Sequence, residues 1–131
     1  MKHARWRWYP QLLVAMAFLV CQIILGSCVG NTASQGARER VVEMIESGEL
    51  HVPEGLTRIS LPRELVHASS GGTIMTLREP DSLAIVFFDF RGLNHYTGWV
   101  YTTAALTEDP LSNRPFRATP IGDNWYRVEA G

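Results

Sequence analysis

The chain has 131 residues, of which 46% are hydrophobic and 19% charged, and its formal net charge is −1. The charge is unevenly divided, because residues 1–27 hold three basic residues and no acid, whereas residues 28–131 hold nine basic and 13 acidic residues. The longer part therefore carries a net charge of −4, which argues against a nucleic-acid partner, since such a partner requires a basic surface. The length predicts a single small domain after the N-terminal segment.

The N-terminal segment has the pattern of an export signal. Lys2, Arg5 and Arg7 form a basic head, and the 15 residues from Gln11 to Leu25 carry no charge. A helix of that length rises only about 22 Å, which is less than the ~30 Å hydrocarbon core of a bilayer. The basic head favours the cytoplasmic side, so we expect the remainder of the chain to be exported.

The segment ends at Leu25-Gly26-Ser27-Cys28, which resembles the lipobox of bacterial lipoprotein precursors. The resemblance implies that the Cys28 thiol becomes a diacylglyceryl thioether and that residues 1–27 are removed as a signal peptide. It also implies a place in the bacterial cell envelope, where a lipid at Cys28 holds the domain on a membrane outside the cytoplasm.

The cysteine positions agree with this hypothesis. Cys21 and Cys28 are the two cysteines of the chain, and seven residues of helix separate them by about 10 Å, too far for a disulfide. Two alternatives stay open, namely an uncleaved single-span anchor and an ordinary cleaved signal peptide. Each of them would also place the domain outside the cytoplasm.

Three parts are therefore predicted: the signal peptide or anchor at 1–27, the lipidated Cys28 with a flexible tether at 28–36, and a domain at 37–131. The tether is predicted from its small and polar residues. A helix is predicted over 37–47, because Val41, Met44 and Ile45 recur at helical spacing and Gly48 is a suitable residue after its end.

Strand patterns follow the helix. The strongest covers Leu83 to Phe90, and because both of its sides are apolar we expect a central strand covered on both faces. Weaker patterns occur at Leu56–Leu61, Thr73–Arg78, Gly98–Thr103, Phe116–Ile121 and Asn124–Glu129. The predicted fold class is α+β: an amphipathic helix on a small antiparallel, meander-like sheet of four to five strands, preceded by an apolar N-terminal helix. Three features together resemble small bacterial proteins of unassigned function, and this resemblance implies no activity. They are Ser-Gly-Gly before a strand, the run Phe87-Phe88-Asp89-Phe90-Arg91-Gly92 and the closing Trp125-Tyr126-Arg127-Val128.

The sequence contains only weak signals for a metal site or a catalytic site. His51, His67 and His95 do not have the spacing of metal ligands, so neither a metal nor a cofactor is predicted. The run Ser69-Ser70-Gly71-Gly72 lacks the Gly-x-Ser-x-Gly pattern of a hydrolase and predicts a turn.

A carboxylate pair of Asp89 with Glu108 or Asp109 is conceivable for a small hydrolase. We expect instead that Asp89 either forms a salt bridge, with Arg91 or Arg117 as its partner, or caps a loop. No motif meets the requirements of a catalytic site, so the chain is not predicted to be an enzyme.

The stronger candidate is the loop from Arg91 to Gly98 between the two best strands, because recognition residues often lie on such loops. Its predicted ligand-binding residues are Arg91, Asn94, His95 and Tyr96. The alternative is a solvated hairpin loop in which Tyr96 covers the end of the sheet.

Three functions are compatible with these patterns. The first is a membrane-tethered interaction or envelope-structural lipoprotein without catalysis, whose partners would be the membrane and an envelope protein. The second is a binding domain for a small polar ligand or a peptide, and the third is a small hydrolase. A pocket with convergent polar groups would favour the second.

Overall fold

The structure is a computed structural model that describes residues 34–131. The predicted signal peptide, the apolar N-terminal helix and Cys28 lie outside the described residues, as does most of the predicted tether. Among residues 34–131, no helix combines the length and the apolar character needed to cross a membrane.

Helix α1 covers residues 34–46, which confirms the helix predicted from the apolar spacing. Its buried stripe includes Val41 and Ile45, which lie one turn apart and face the sheet. Gly48 follows the end of the helix, as predicted, and its φ of 82° lies in the left-handed region that glycine adopts without strain. The amide of Leu50 donates to the carbonyl of Met44 over 2.9 Å and closes the last turn.

Six strands form one antiparallel sheet among the described residues. They are β1 Gly55–Ser60, β2 Thr73–Glu79, β3 Ser82–Arg91, β4 Tyr96–Thr102, β5 Phe116–Gly122 and β6 Trp125–Ala130. Their order in the sheet is β1-β2-β3-β4-β6-β5. Two short 3₁₀ helices, Arg63–Ala68 and Ser70–Gly72, connect β1 to β2.

The predicted fold class is therefore wrong. Residues 34–131 form mostly a six-stranded sheet with one helix and 3₁₀ turns, not a helix on a meander of four to five strands. The count differs because β1 is a full strand although most of its residues are exposed, which weakens its apolar pattern. The order differs because β6, and not β5, pairs with β4, so the chain skips one position after the long loop at 103–115.

The sheet has a buried core on each face. The helix-side core packs α1 and the first 3₁₀ helix on residues such as Ile74, Ile85 and Phe87. The loop-side core is built on Val86, Phe88, Val100 and Val128, and Leu106 and Leu111 of the loop at 103–115 pack against it. One long loop thus covers a sheet face that would otherwise expose an apolar surface.

Strand β3 is confirmed as a central strand with both faces covered. Phe87 lies in the helix-side core and is 0% exposed, and Phe88 lies in the loop-side core and is 2% exposed. The pairing of β3 with β4 shifts by one residue between Phe88 and Phe90, so that Asp89 is the extra residue of a β-bulge. This bulge lies next to the loop that the sequence marks as a candidate site.

Candidate functional site

The predicted loop joins β3 to β4 and turns within four residues. The amide of Gly92 donates to the carbonyl of His95 over 2.8 Å, which closes the turn. Asn94 and His95 are exposed, and the His95 ring stacks on Phe90 at 5.2 Å between centroids. Arg91 is also exposed, with its guanidinium carbon 4.9 Å from the centre of the Phe88 ring. The structure therefore brings Arg91, Asn94 and His95 to the surface at one end of the sheet.

Tyr96 is not at the surface with these residues, because the first residue of β4 points into the loop-side core. Its ring meets Phe88 edge to face at 5.5 Å, and its hydroxyl donates to Oδ1 of Asp109 over 2.6 Å. Burial, together with this hydrogen bond, raises the pKa of Tyr96 well above its ordinary value. Asp109 also accepts from the amide of Leu111 and from the hydroxyl of Ser112, each over 3.0 Å. Tyr96 thus attaches the long loop to the sheet.

An open cavity of about 430 Å³ lies beside the turn. Four polar residues are among those that line it. They are His95 of the turn, Thr97 of β4, Arg117 of β5 and Glu129 of β6. Thr97, Glu129 and Arg117 lie side by side on β4, β6 and β5, because the strand register places Glu129 opposite both Thr97 and Arg117. A volume of this size is within the range of small-molecule sites.

A second group of side chains surrounds Trp99 on the helix side of the sheet. The guanidinium carbon of Arg38 lies 3.8 Å from the centre of the Trp99 ring, and that of Arg127 lies 4.5 Å from it. Both distances are within the range of a cation–π interaction. Nη2 of Arg127 donates to Oδ2 of Asp89 over 2.7 Å.

The charges around Trp99 are only partly balanced. Arg38 is 6% exposed, and burial lowers the pKa of its guanidinium, with the nearby Arg127 acting in the same direction and Asp89 opposing it. Within the described residues, Nη1 of Arg127 is buried and makes no hydrogen bond. Two guanidinium groups therefore share one aromatic ring, and Asp89 is the acid that pairs with one of them.

The ion pair of Asp89 corrects one prediction. Its partner is Arg127, and not Arg91 or Arg117, because strand register sets the neighbour of Asp89 across the sheet. Arg127 lies opposite Trp99 on β4, which in turn lies opposite Phe87 on β3. Sequence reasoning missed the Trp99 cluster because its members come from α1, β3, β4 and β6. The alternation in Trp125-Tyr126-Arg127-Val128, which puts Trp125 and Arg127 on one face, was the available signal.

The carboxylates considered for hydrolysis do not meet. Asp89 binds Arg127 on the helix side of the sheet, whereas Asp109 binds Tyr96 on the loop side. Ser69 has a structural role, since its hydroxyl accepts from the amide of Phe88 over 2.8 Å and donates to the carbonyl of Thr73 over 2.5 Å. Among the residues that the structure describes, no three His, Cys, Asp or Glu side chains form a metal-binding group.

We define the open face as the exposed or half-exposed side chains on the helix side of β4, β5 and β6 together with the β3 bulge. Arg117 and Thr119 of β5 and Glu129 of β6 are exposed on this surface. Helix α1 does not cover them, because the helix-side core includes no residue of β5 and only Trp125 of β6. The members of the open face are Asp89, Thr97, Trp99, Arg117, Thr119, Arg127 and Glu129. Comparisons of the chain with protein-family models, curated proteins and solved structures found no match.

Proposed function

We propose that the chain is a lipid-anchored, extracytoplasmic interaction module that contacts a protein or peptide partner through the open face. The sequence Leu25-Gly26-Ser27-Cys28 supports the anchor. The placement of Trp99 between Arg38 and Arg127, beside an uncovered stretch of sheet, carries the proposal for the contact surface. Trp and Arg are the residue types that most often dominate the energy of protein–protein contacts.

The open face also has the charge pattern of a contact surface. Arg117 and Glu129 lie opposite each other on neighbouring strands, and Arg127 and Asp89 form a second pair of opposite sign. Exposed pairs of this kind add little to folding, about 0–1 kcal/mol each, so they are free to exchange partners. Alternating charge around an aromatic centre favours recognition of a partner with a matching pattern over non-specific adhesion.

Lipidation is tested by the intact mass of the mature protein isolated from membranes. The expected mass is that of residues 28–131 plus acyl groups, and Cys28→Ala should keep the unmodified precursor in the membrane. An identical mass change in the wild type and in Cys28→Ala would contradict the anchor.

The contact surface is tested by photo-crosslinking in cells that contain the full chain. A photoreactive amino acid at Thr119 samples the open face, and the same amino acid at Thr107, an exposed residue of the long loop, is the matched control. We expect a discrete crosslinked species from position 119 that disappears when Arg117 is changed to Glu. Equal crosslinking from both positions, or none from position 119, would overturn the assignment of the open face.

The cavity beside His95 favours a second candidate, a binding site for a small polar ligand. His95, Thr97, Arg117 and Glu129 provide both donors and acceptors there. Titration of the full chain with a dicarboxylic acid, followed by NMR of the His95 ring, tests it. Saturable shifts that Arg117→Gln abolishes would support this site, and shifts that this change leaves intact would contradict it.

A further inference from the structure

Three exposed apolar side chains lie at one end of the sheet, which we call the tip end. Leu93 is 97% exposed at the β3–β4 turn, and Phe90 is 52% exposed immediately before it. Val66, which is 43% exposed, lies in the 3₁₀ helix that precedes β2. The bond between the Ser69 hydroxyl and the amide of Phe88 holds the end of that 3₁₀ segment beside the end of β3.

The opposite end of the sheet provides a reference. Leu56 is the second residue of β1 and Ile121 is close to the end of β5, so both lie away from the β3–β4 turn. They are 49% and 52% exposed. Exposed apolar residues scattered singly are ordinary in globular proteins, so exposure alone assigns no role to the tip end.

The direction of α1 distinguishes the two ends. Arg38 lies over Trp99, whereas the hydroxyl of Tyr101 donates to Oε1 of Glu46 over 2.7 Å. The helix therefore runs in the same sense as β4, which begins at the tip end with Tyr96. The chain consequently enters the domain at Gln35 from the tip end.

Chain length limits how far this end can lie from an anchor at Cys28. Residues 28–34 span at most about 25 Å when fully extended. A strand of ten residues such as β3 is itself about 33 Å long. A lipid on Cys28 would therefore keep the start of the domain, which lies at the tip end, within about 25 Å of the membrane, whereas the opposite end can lie farther away.

We propose that the tip end rests on the bilayer that holds the anchor, with Leu93 and Phe90 in the boundary between headgroups and acyl chains. This inference depends on the lipidation of Cys28 in the proposed function. Apolar side chains on an exposed turn gain from this boundary, because they leave water without requiring the backbone to enter the hydrocarbon.

The charges next to the turn fit this orientation. Arg91 is exposed and forms no ion pair within residues 34–131, and Asp89, two residues before it, is paired with Arg127, so the turn presents a positive charge. A basic side chain close to the surface is attracted to anionic lipid headgroups. The contact also supplements the acyl anchor, since membrane attachment strengthens when a second signal accompanies a lipid chain.

The test uses the mature, acylated chain in pure lipid vesicles that contain phosphatidylglycerol. Residues 29–131 contain no cysteine, and acylation blocks the sulfur of Cys28, so Leu93→Cys introduces one reactive thiol. Ile121→Cys is the matched control on the far end, because it too replaces an exposed aliphatic residue. Each thiol receives a polarity-sensitive fluorophore, and lipids with a nitroxide on the acyl chain serve as quenchers.

We expect a blue-shifted emission and quenching by the nitroxide lipid at position 93, with neither change at position 121. Charge reversal by Arg91→Glu should weaken the quenching at position 93 in anionic vesicles more than in neutral ones. Equal, water-like emission at both positions in an acylated sample would overturn the inference while leaving the anchor intact. An intact mass without acyl groups, measured before labelling, would overturn the anchor and with it the orientation. Because the vesicles contain no other protein, a shift at position 93 reports contact with lipid.

Discussion

The hydroxyl of Tyr96 and the carboxylate of Asp109 are joined by a hydrogen bond of 2.6 Å, and both residues are buried although Asp109 belongs to a loop without regular structure. Asp109 is 6% exposed and has two further donors within that loop, so it organises the loop internally while Tyr96 fixes it to the sheet. The contact links the middle of the loop at 103–115 to the start of β4. Loss of this hydrogen bond should therefore loosen the loop that covers the loop-side core.

The change Tyr96→Phe should lower the free energy of unfolding by about 1–3 kcal/mol, the cost of leaving a buried acceptor without one of its donors. Because the folded-state pKa of Tyr96 is raised, this contribution is fully present below the unfolded pKa of 10.0 and is lost as pH rises above it. The difference between wild type and Tyr96→Phe should thus shrink above about pH 10. Chemical denaturation of both proteins between pH 7 and 11 measures it. A difference that grows with pH would contradict this account.

Phe87 and Phe88 should each be essential to stability, because they fill opposite cores. Truncation of either to alanine should cost about 3–5 kcal/mol, a large share of the ~5–15 kcal/mol that stabilises a small domain. Phe90→Ala is the matched control, since the same side chain is removed from the same strand at a position that is half exposed. Urea denaturation should show a small effect for Phe90→Ala, and a small effect for Phe88→Ala would mean that the loop-side core is not packed.

Gly98 permits the close approach of β3 and β4 at the bulge. A Cβ atom at this position would overlap the carbonyl oxygen of Phe87, which is a backbone atom and cannot rotate away. Gly98→Ala should therefore destabilise the domain by about 1–3 kcal/mol, the usual cost of overpacking. Gly36→Ala is the control with the opposite sign, because this exposed helical position is open and alanine favours a helix by about 0.5–1 kcal/mol. Thermal melting of the two variants should move the midpoint in opposite directions.

The turn residues should contribute little to folding. Asn94→Ala and His95→Ala should change the free energy of unfolding by no more than about 0.5 kcal/mol, because both side chains are exposed and the turn is closed by backbone groups. Equilibrium denaturation checks this expectation. A loss of several kcal/mol from His95→Ala would show that its stacking on Phe90 is part of the folded core.

Local apolar patterns could be read from the sequence where neighbours along the chain determine burial. The stripe of Val41 and Ile45 predicted α1, and the two apolar sides of Phe87 and Phe88 predicted a central strand. The order of the last strands could not be predicted in this way. It depends on the loop at 103–115 covering a sheet face, and that packing joins residues far apart in the chain.

The candidate site shows the same limit. The turn was predicted from its glycine, asparagine and histidine, and the structure places these residues at the surface. Tyr96 was grouped with them because it is adjacent in sequence. As the first residue of β4, however, it points into the core and contacts Asp109, which lies 13 residues later in the chain. The Trp99 cluster joins α1 to three strands, so only the sheet register could reveal that Arg38 and Arg127 share one ring.

The edge strand β5 has a consequence for a domain that is anchored as we propose. Molecules tethered to a surface meet one another far more often than molecules free in solution, and an unpaired strand edge is a template for aggregation. Pro120 lacks an amide hydrogen, and the register of β5 with β6 shifts after it, so the rim of β5 is irregular. Arg117 adds charge to the same strand. Crowded copies of the domain should therefore not pair through the β5 edge, because this edge is poorly suited to accept a neighbouring strand.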